Sequence, residues 1–183
     1  MKDTILLNNE YRPQIMQDYC VVDIETTGLS RVKNEIIEIS ALKVRSGVVV
    51  DEFSQLVKPS GRVGRFITGL TGITNDMLSD APNIKDVLPK FLDFVGEDEI
   101  LGHNVHFDIG FIRVNCERYL DRDFSNSYVD TRQIARRVAN APNNRLSTLA
   151  KYYNIDATGH HRALCDCEIT YKLYKKLIEK FQV

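Results

Sequence analysis

The chain has 183 residues, 43% of them hydrophobic and 27% charged, and its 24 Lys and Arg nearly balance 25 Asp and Glu for a net charge of −1. That length suits one domain with a sizeable core, and the near-neutral balance excludes a protein held on duplex DNA by an overall basic field. Four scattered cysteines (Cys20, Cys116, Cys165, Cys167) without paired CxxC knuckles argue against a cysteine-built zinc site and for reduced thiols in a cytoplasmic protein, and the run Ile5-Leu6-Leu7 is too short for a signal or a membrane span.

Residues 1–18 are polar, contain Pro13 and show little periodicity, which predicts a leader arm ahead of one domain over residues 19–183. The apolar run from Tyr19 ends in Asp23-Ile24-Glu25-Thr26-Thr27-Gly28 and reads as a buried strand stopped by a glycine turn. Alternation along a strand puts Asp23 and Glu25 on one face and Ile24 on the other. Adjacent carboxylates raise each other's pKa unless a cation lies between them, so the pair asks for a metal. Taken alone, the same pair also describes a strand end with two solvated acids.

Residues 35–44 and 48–57 predict a second and third strand joined by a short hairpin at Arg45-Ser46-Gly47. Ile36, Glu38, Ser40 and Leu42 would share one face of the second strand. A lone buried acid is costly, so Glu38 calls for a partner, in a structural rather than a catalytic role. Residues 58–83 carry turn signals at Pro59, Gly61, Gly64, Gly69, Gly72 and Pro82, with one short helix near residues 75–78. Val87, Leu88, Phe91, Leu92 and Val95 then fall at helical spacing.

Residues 99–105 predict a fourth strand running into a loop, and residues 107–119 a helix that buries Ile109, Phe111, Ile112 and Cys116. Tyr128-Val129-Asp130 is a short strand, Thr131 the expected N-cap, and residues 132–139 a basic helix stopped by Pro142. Helices over 146–153 and 162–181 follow, the last with a stripe of Tyr171, Tyr174, Leu177, Ile178 and Phe181. Three strands followed by strands alternating with helices give an α/β three-layer fold around a mixed sheet.

Two more acids stand in suggestive places. Asp108 opens a helix directly after a strand, where ligands gather in α/β sheets, although an acid there also favours the helix dipole. Asp166 lies one turn into the last helix, five residues after His161; the His160-His161 doublet reads as a turn or as half of a metal site, and the spacing to Asp166 is weak by itself. His103, at a strand end, reads first as a histidine hydrogen-bonded to backbone, with Asn104 beside it supporting the Asp108 loop. Four acids and one histidine suit two-metal phosphoryl chemistry: Mg²⁺ takes oxygen ligands, two ions about 3.5–4 Å apart can hold the attacking and leaving oxygens, and a neutral histidine can take the proton from water.

Val22-Asp23-Ile24-Glu25-Thr26-Thr27-Gly28-Leu29, His103-Asn104-Val105-His106-Phe107-Asp108 and His161-Arg162-Ala163-Leu164-Cys165-Asp166 resemble the three motifs of the DnaQ-like, DEDDh 3′–5′ exonucleases. Leu70-Thr71-Gly72-Ile73-Thr74, Val129-Asp130-Thr131 and Arg145-Leu146-Ser147-Thr148-Leu149-Ala150 fit the same pattern, and the likeness spans about residues 19–180. It is strongest to the proofreading exonucleases of bacterial DNA polymerase III, both the epsilon subunit and the PolC-type domain.

The resemblance implies an RNase H-like α/β/α fold with a central mixed sheet of about five strands. It implies two divalent ions, Mg or Mn, held by Asp23, Glu25, Asp108 and Asp166, with His161 as general base. Thr26, Gly28 and Leu29 would shape the pocket for the 3′-terminal nucleotide and Phe107 would pack on the penultimate one, with His103 and Asn104 in the same substrate-binding group. The implied activity is removal of nucleoside 5′-monophosphates from single-stranded 3′ ends, of DNA ahead of RNA, in proofreading or repair beside a DNA polymerase and with no membrane involved. The alternatives are an RNA-trimming or oligoribonucleotide-degrading enzyme, or a polymerase-tethering module whose site has decayed. His106 departs from the smaller residue common in the family. Cys165 and Cys167 are expected to pack the last helix, and an exposed Cys167 would make the protein oxidation-sensitive. Arg132, Arg136, Arg137, Arg145 and Lys151 suit either phosphate contacts or a solvated helix face.

Overall fold

The computed structural model describes residues 15–181; most of the expected leader arm lies outside them. Five strands form one sheet in the order β3-β2-β1-β4-β5, the mixed RNase H-like arrangement. β1 (Tyr19–Thr26) sits at its centre, antiparallel to β2 (Ile36–Arg45) and parallel to the three-residue β4 (Ile100–Gly102). β3 (Val48–Leu56) forms one edge and β5 (Tyr128–Asp130) the other. The β2–β3 connection is the two-residue loop Ser46-Gly47 with φ of 50° and 73°, and positive φ at both positions matches the twist of the flanking strands.

Alternation along β1 divides the protein into two cores. Cys20, Val22 and Ile24 pack with α3 (Ile84–Val95) and α4 (His106–Tyr119), around Leu88, Phe91, Phe111 and Ile112. Tyr19 and Val21 point the other way, against α5 (Thr131–Val138), α6 (Leu146–Tyr152) and α7 (Ala163–Glu179), around Ile134, Leu149, Leu173 and Tyr174. Tyr174 also anchors the chain entering β1, its hydroxyl accepting the Met16 N–H at 2.9 Å. Asp23 and Glu25 continue the Tyr19–Val21 face, so the strand that builds the core also aims both carboxylates at α7.

Three expectations change. Ile36 packs with the α3/α4 core rather than with Leu42: Glu25 pairs with Glu38 but Thr26 with Ile36, so Ile37 is an extra residue and the strand changes face there. The turn-rich stretch contains α1 (Arg65–Thr71) before α2 (Asn75–Leu78). Gly69 and β-branched residues give α1 poor helix propensity, and burial of Thr71 and packing of Ile67 on Ile37, Val63, Ile73 and Leu78 override it. The N-cap of α5 is Asp130, not Thr131: its Oδ1 accepts from Arg132 N–H at 2.9 Å. Thr131 instead donates its hydroxyl to the Gly102 carbonyl at 3.0 Å. The expected packing of the last-helix cysteines holds: Cys167 is fully buried in the core and half-buried Cys165 packs against it, so the condition for oxidation sensitivity at Cys167 is not met. Among the described residues no helix is long and apolar enough to cross a membrane.

Candidate active site

Three elements bring the acids together. β1 delivers Asp23 and Glu25, the first turn of α7 delivers Asp166, and one carboxylate oxygen from each lies within 4.8 Å of the others. The first turn of α4 delivers Asp108, buried beside this trio, where its Oδ1 accepts the Ile24 N–H at 3.1 Å. The amide lying between Asp23 and Glu25 thus ties the second motif to the first. Asp108 and Asp166 are 4% and 6% exposed, which is rare for acids.

Such crowding is electrostatically unfavourable. Burial, reinforced by Asp108, Asp166, Glu25 and Glu38, pushes the Asp23 pKa well above the usual carboxylate range. Burial followed by repulsion from Asp166 and Glu38 pushes Glu25 up to about 8. Asp108 also rises to about 8, chiefly through burial, although hydrogen bonds from backbone N–H groups oppose it. Uncompensated acids at this density are what divalent cations neutralise, and a donor set made only of carboxylate oxygens matches hard ions. Asp23, Glu25 and Asp166 therefore fit a metal centre, with Asp108 buried beside them.

The repulsion has a measurable consequence. A carboxyl whose pKa is raised by folding favours the folded state below its unfolded value near 4, and that contribution is lost as pH climbs through about 8 for Glu25 and Asp108. In chelator, the melting temperature should fall by on the order of 5–10 °C between pH 6 and pH 9, and millimolar Mg²⁺ should abolish the fall. A flat chelator profile over that interval would remove the electrostatic argument for a cation.

His161 lies just before α7 with its backbone at φ 74° and follows Gly159 at φ 87°. A histidine in the left-handed region is uncommon, and neighbouring anchors fix this one. Buried Glu38 accepts Arg162 Nη2–H at 2.7 Å and the Ala163 N–H at 2.9 Å. The partner expected for Glu38 is thus the start of α7, and the ion pair holds the loop that presents His161. Burial and then the neighbouring His160 keep the His161 pKa below its ordinary value, favouring the neutral imidazole.

The His160-His161 doublet, readable from the sequence as a turn or as half of a metal site, brings His160 onto Asp166. The His160 Nδ1 lies 2.6 Å from Asp166 Oδ1, and the His160 ring lies 3.8 Å from that of His161. The His-His doublet was the available signal, but only the turn at Gly159 shows that both rings face one acid.

The remaining residues singled out from the sequence lie on the turn after β1 and on the β4–α4 loop. Thr26 is buried, and its hydroxyl donates to the Gly28 carbonyl at 2.7 Å to shape the turn. Leu29 is 86% exposed beyond that turn. Phe107 is half-buried, its ring 4.9 Å from Phe111. His103 has both ring nitrogens engaged, Nδ1 with the Thr131 hydroxyl and Nε2 with the Asn144 carbonyl, each at 2.9 Å, so it braces the loop from behind. Asn104, at φ 66°, donates its N–H to Asp130 at 2.8 Å and accepts from Arg132 Nη1 at 2.8 Å. Arg31, not singled out from the sequence, donates to the His106 carbonyl at 3.0 Å. A Cβ on Gly110 would run into the Arg31 guanidinium, so glycine is what admits this bridge between the Leu29 loop and α4. His106 also meets the Tyr128 hydroxyl at 3.1 Å.

The sequence model of the RNase T exonuclease family matches residues 20–174. Among curated proteins, the chain is 38% identical over 178 residues to the PolC-type DNA polymerase III of Caldanaerobacter subterraneus subsp. tengcongensis, covering 97% of this chain and 13% of that protein. It is 39% identical over 177 residues to the PolC-type DNA polymerase III of Bacillus subtilis, covering 96% and 12%. The chain therefore spans only a small part of the length of these relatives. Among solved structures, Exonuclease X in complex with 5′-overhanging duplex DNA superposes with a TM-score of 0.71 at 28% identity, covering 90% of this chain and 93% of that one. The nuclease domain of 3′hExo, a DEDDh member bound to rAMP, superposes with a TM-score of 0.77 at 20% identity over 91% and 94% of the two chains.

Proposed function

The chain belongs to the RNase T exonuclease family, and from that premise we propose that it removes nucleoside 5′-monophosphates one at a time from the 3′ end of single-stranded DNA. The observation that carries this reading is the convergence of Asp23, Glu25 and Asp166 on one point, with Asp108 beside them and His161 at the edge. The acids would hold two divalent ions of the Mg or Mn class. When bound, these supply Lewis-acid stabilisation of the charge that develops on the phosphoryl oxygens.

The chain's own residues do the rest. An imidazole nitrogen of His161 takes one proton from the attacking water as the new P–O bond forms. The old P–O bond breaks toward the 3′ oxygen of the shortened strand, leaving the phosphate on the released nucleotide. Glu38 and Arg162 keep the His161 loop in place. Leu29 and Phe107 offer apolar surface to the last two bases, Thr26 and Gly28 shape the turn under them, and Asn104, with His103 bracing it, positions the Asp108 loop. The exposed Arg136, Arg145 and Lys151 suit contacts to upstream phosphates. The PolC-type relatives are DNA polymerases, which supports proofreading beside a polymerase, in the cytoplasm, as the setting.

Digestion of matched 5′-labelled DNA and RNA oligonucleotides in Mg²⁺ tests this. The expected result is stepwise shortening from the 3′ end with 5′-monophosphate products, faster on DNA. Faster digestion of RNA would move the substrate to the ribonucleotide alternative, and no metal-dependent cleavage of either would leave a tethering module.

A further inference from the structure

Asp166 belongs to two donor sets at once. On one side its carboxylate joins Asp23 and Glu25, all oxygen; on the other it joins His160 and His161, one ligand atom from each of the three lying within 4.8 Å. The second set is built into the fold. Left-handed residues at Gly159 and His161 fold the chain so that two consecutive histidines face the same way, with rings 3.8 Å apart and inclined by 30°. His160 Nδ1 already lies 2.6 Å from Asp166 Oδ1. Glu38 pins the following residues through Arg162 and Ala163, so the cluster has a rigid base. Both histidines are half-buried, which leaves solvent a path to the imidazoles.

The two sets differ in chemistry. Carboxylate oxygens suit Mg²⁺, whereas two imidazoles and one carboxylate suit zinc and its neighbours, with a fourth tetrahedral position left for water. We infer that His160, His161 and Asp166 form a second, transition-metal site that shares Asp166 with the oxygen set, and that Zn²⁺ bound there withdraws Asp166 and His161 from the reaction and shuts it off. The site itself is independent of the nuclease reading; only the inhibitory consequence rests on it.

Direct binding separates the two. In the full chain carrying Asp23→Asn and Glu25→Gln, which dismantles the oxygen set, Co²⁺ should produce the visible absorption of imidazole-ligated tetrahedral cobalt, and Zn²⁺ should displace it. Adding His160→Ala to that background should weaken Zn²⁺ binding by roughly 100-fold, with circular dichroism confirming the fold. His160→Asn, which keeps a donor to Asp166 but no imidazole, should bind as weakly. With Mg²⁺ saturating and each variant normalised to its zinc-free rate, His160→Ala should need a correspondingly higher Zn²⁺ concentration for inhibition, and His160→Cys, which restores a ligand, should remain sensitive. Absence of cobalt absorption in the double variant would overturn the site, and equal zinc sensitivity with and without His160 would overturn its inhibitory role. Cobalt absorption in the double variant, together with no nuclease activity of the native chain in Mg²⁺, would uphold the site while refuting the proposed function.

Discussion

Asp23→Asn is expected to lower kcat on single-stranded DNA by on the order of 10³-fold or more while raising the melting temperature of the metal-free protein at pH 8. Both effects have one origin. Asp23 is surrounded by Asp108, Asp166, Glu25 and Glu38 and its pKa is pushed far up, so its charge is costly to the fold until a cation offsets it. Removing that charge relieves the repulsion, which stabilises the chelated protein, and deletes a ligand worth several kcal/mol of transition-state stabilisation. Turnover in Mg²⁺ and thermal melts in chelator measure the two effects. Normal hydrolysis by the variant would remove Asp23 from the metal set, and a lower melting temperature in chelator would mean that the carboxylate is a structural acceptor rather than a poised ligand. Such a gain in stability with loss of activity is the behaviour of a site strained for function.

His161→Ala should lower kcat by about 10²–10⁴-fold, the usual worth of a positioned general base, and leave Mg²⁺ affinity from calorimetry nearly unchanged. The pH profile separates this role from that of the carboxylates. The imidazole must be neutral to accept a proton, and burial and His160 lower its pKa. In saturating metal, kcat should therefore rise through a single ionisation below about 6.5 and stay flat above it. The limb should vanish in His161→Ala and should not move with metal concentration. Glu25 and Asp108, at about 8 without metal, predict a different limb, one that shifts to lower pH as metal is added. A limb in the native protein that follows metal concentration and survives in His161→Ala would assign water activation to the metal alone.

Much of this site is legible in the chain because its signals are local. The β-branched run ending in Asp23-Ile24-Glu25 specifies a central strand, and its two-residue period alone places both acids on one face. The same period places Glu38 inside, and its need for a partner follows from the cost of burying a charge. α3 and α4 show themselves through apolar spacing, and Ser46-Gly47 through turn chemistry. Tertiary structure alone decides the rest. The extra residue at Ile37 flips Ile36 to the other core, because a bulge is set by both strands and not by the sequence of one. α1 forms against its own propensity because Ile67 and Thr71 find a small core to pack on. The partner of Glu38 lies 124 residues away at Arg162, a distance no local pattern encodes. The use of His160 depends on left-handed turns at Gly159 and His161, which point two adjacent rings at one carboxylate. Residue types and spacing determined which groups can do chemistry; packing between distant segments decided which of them meet.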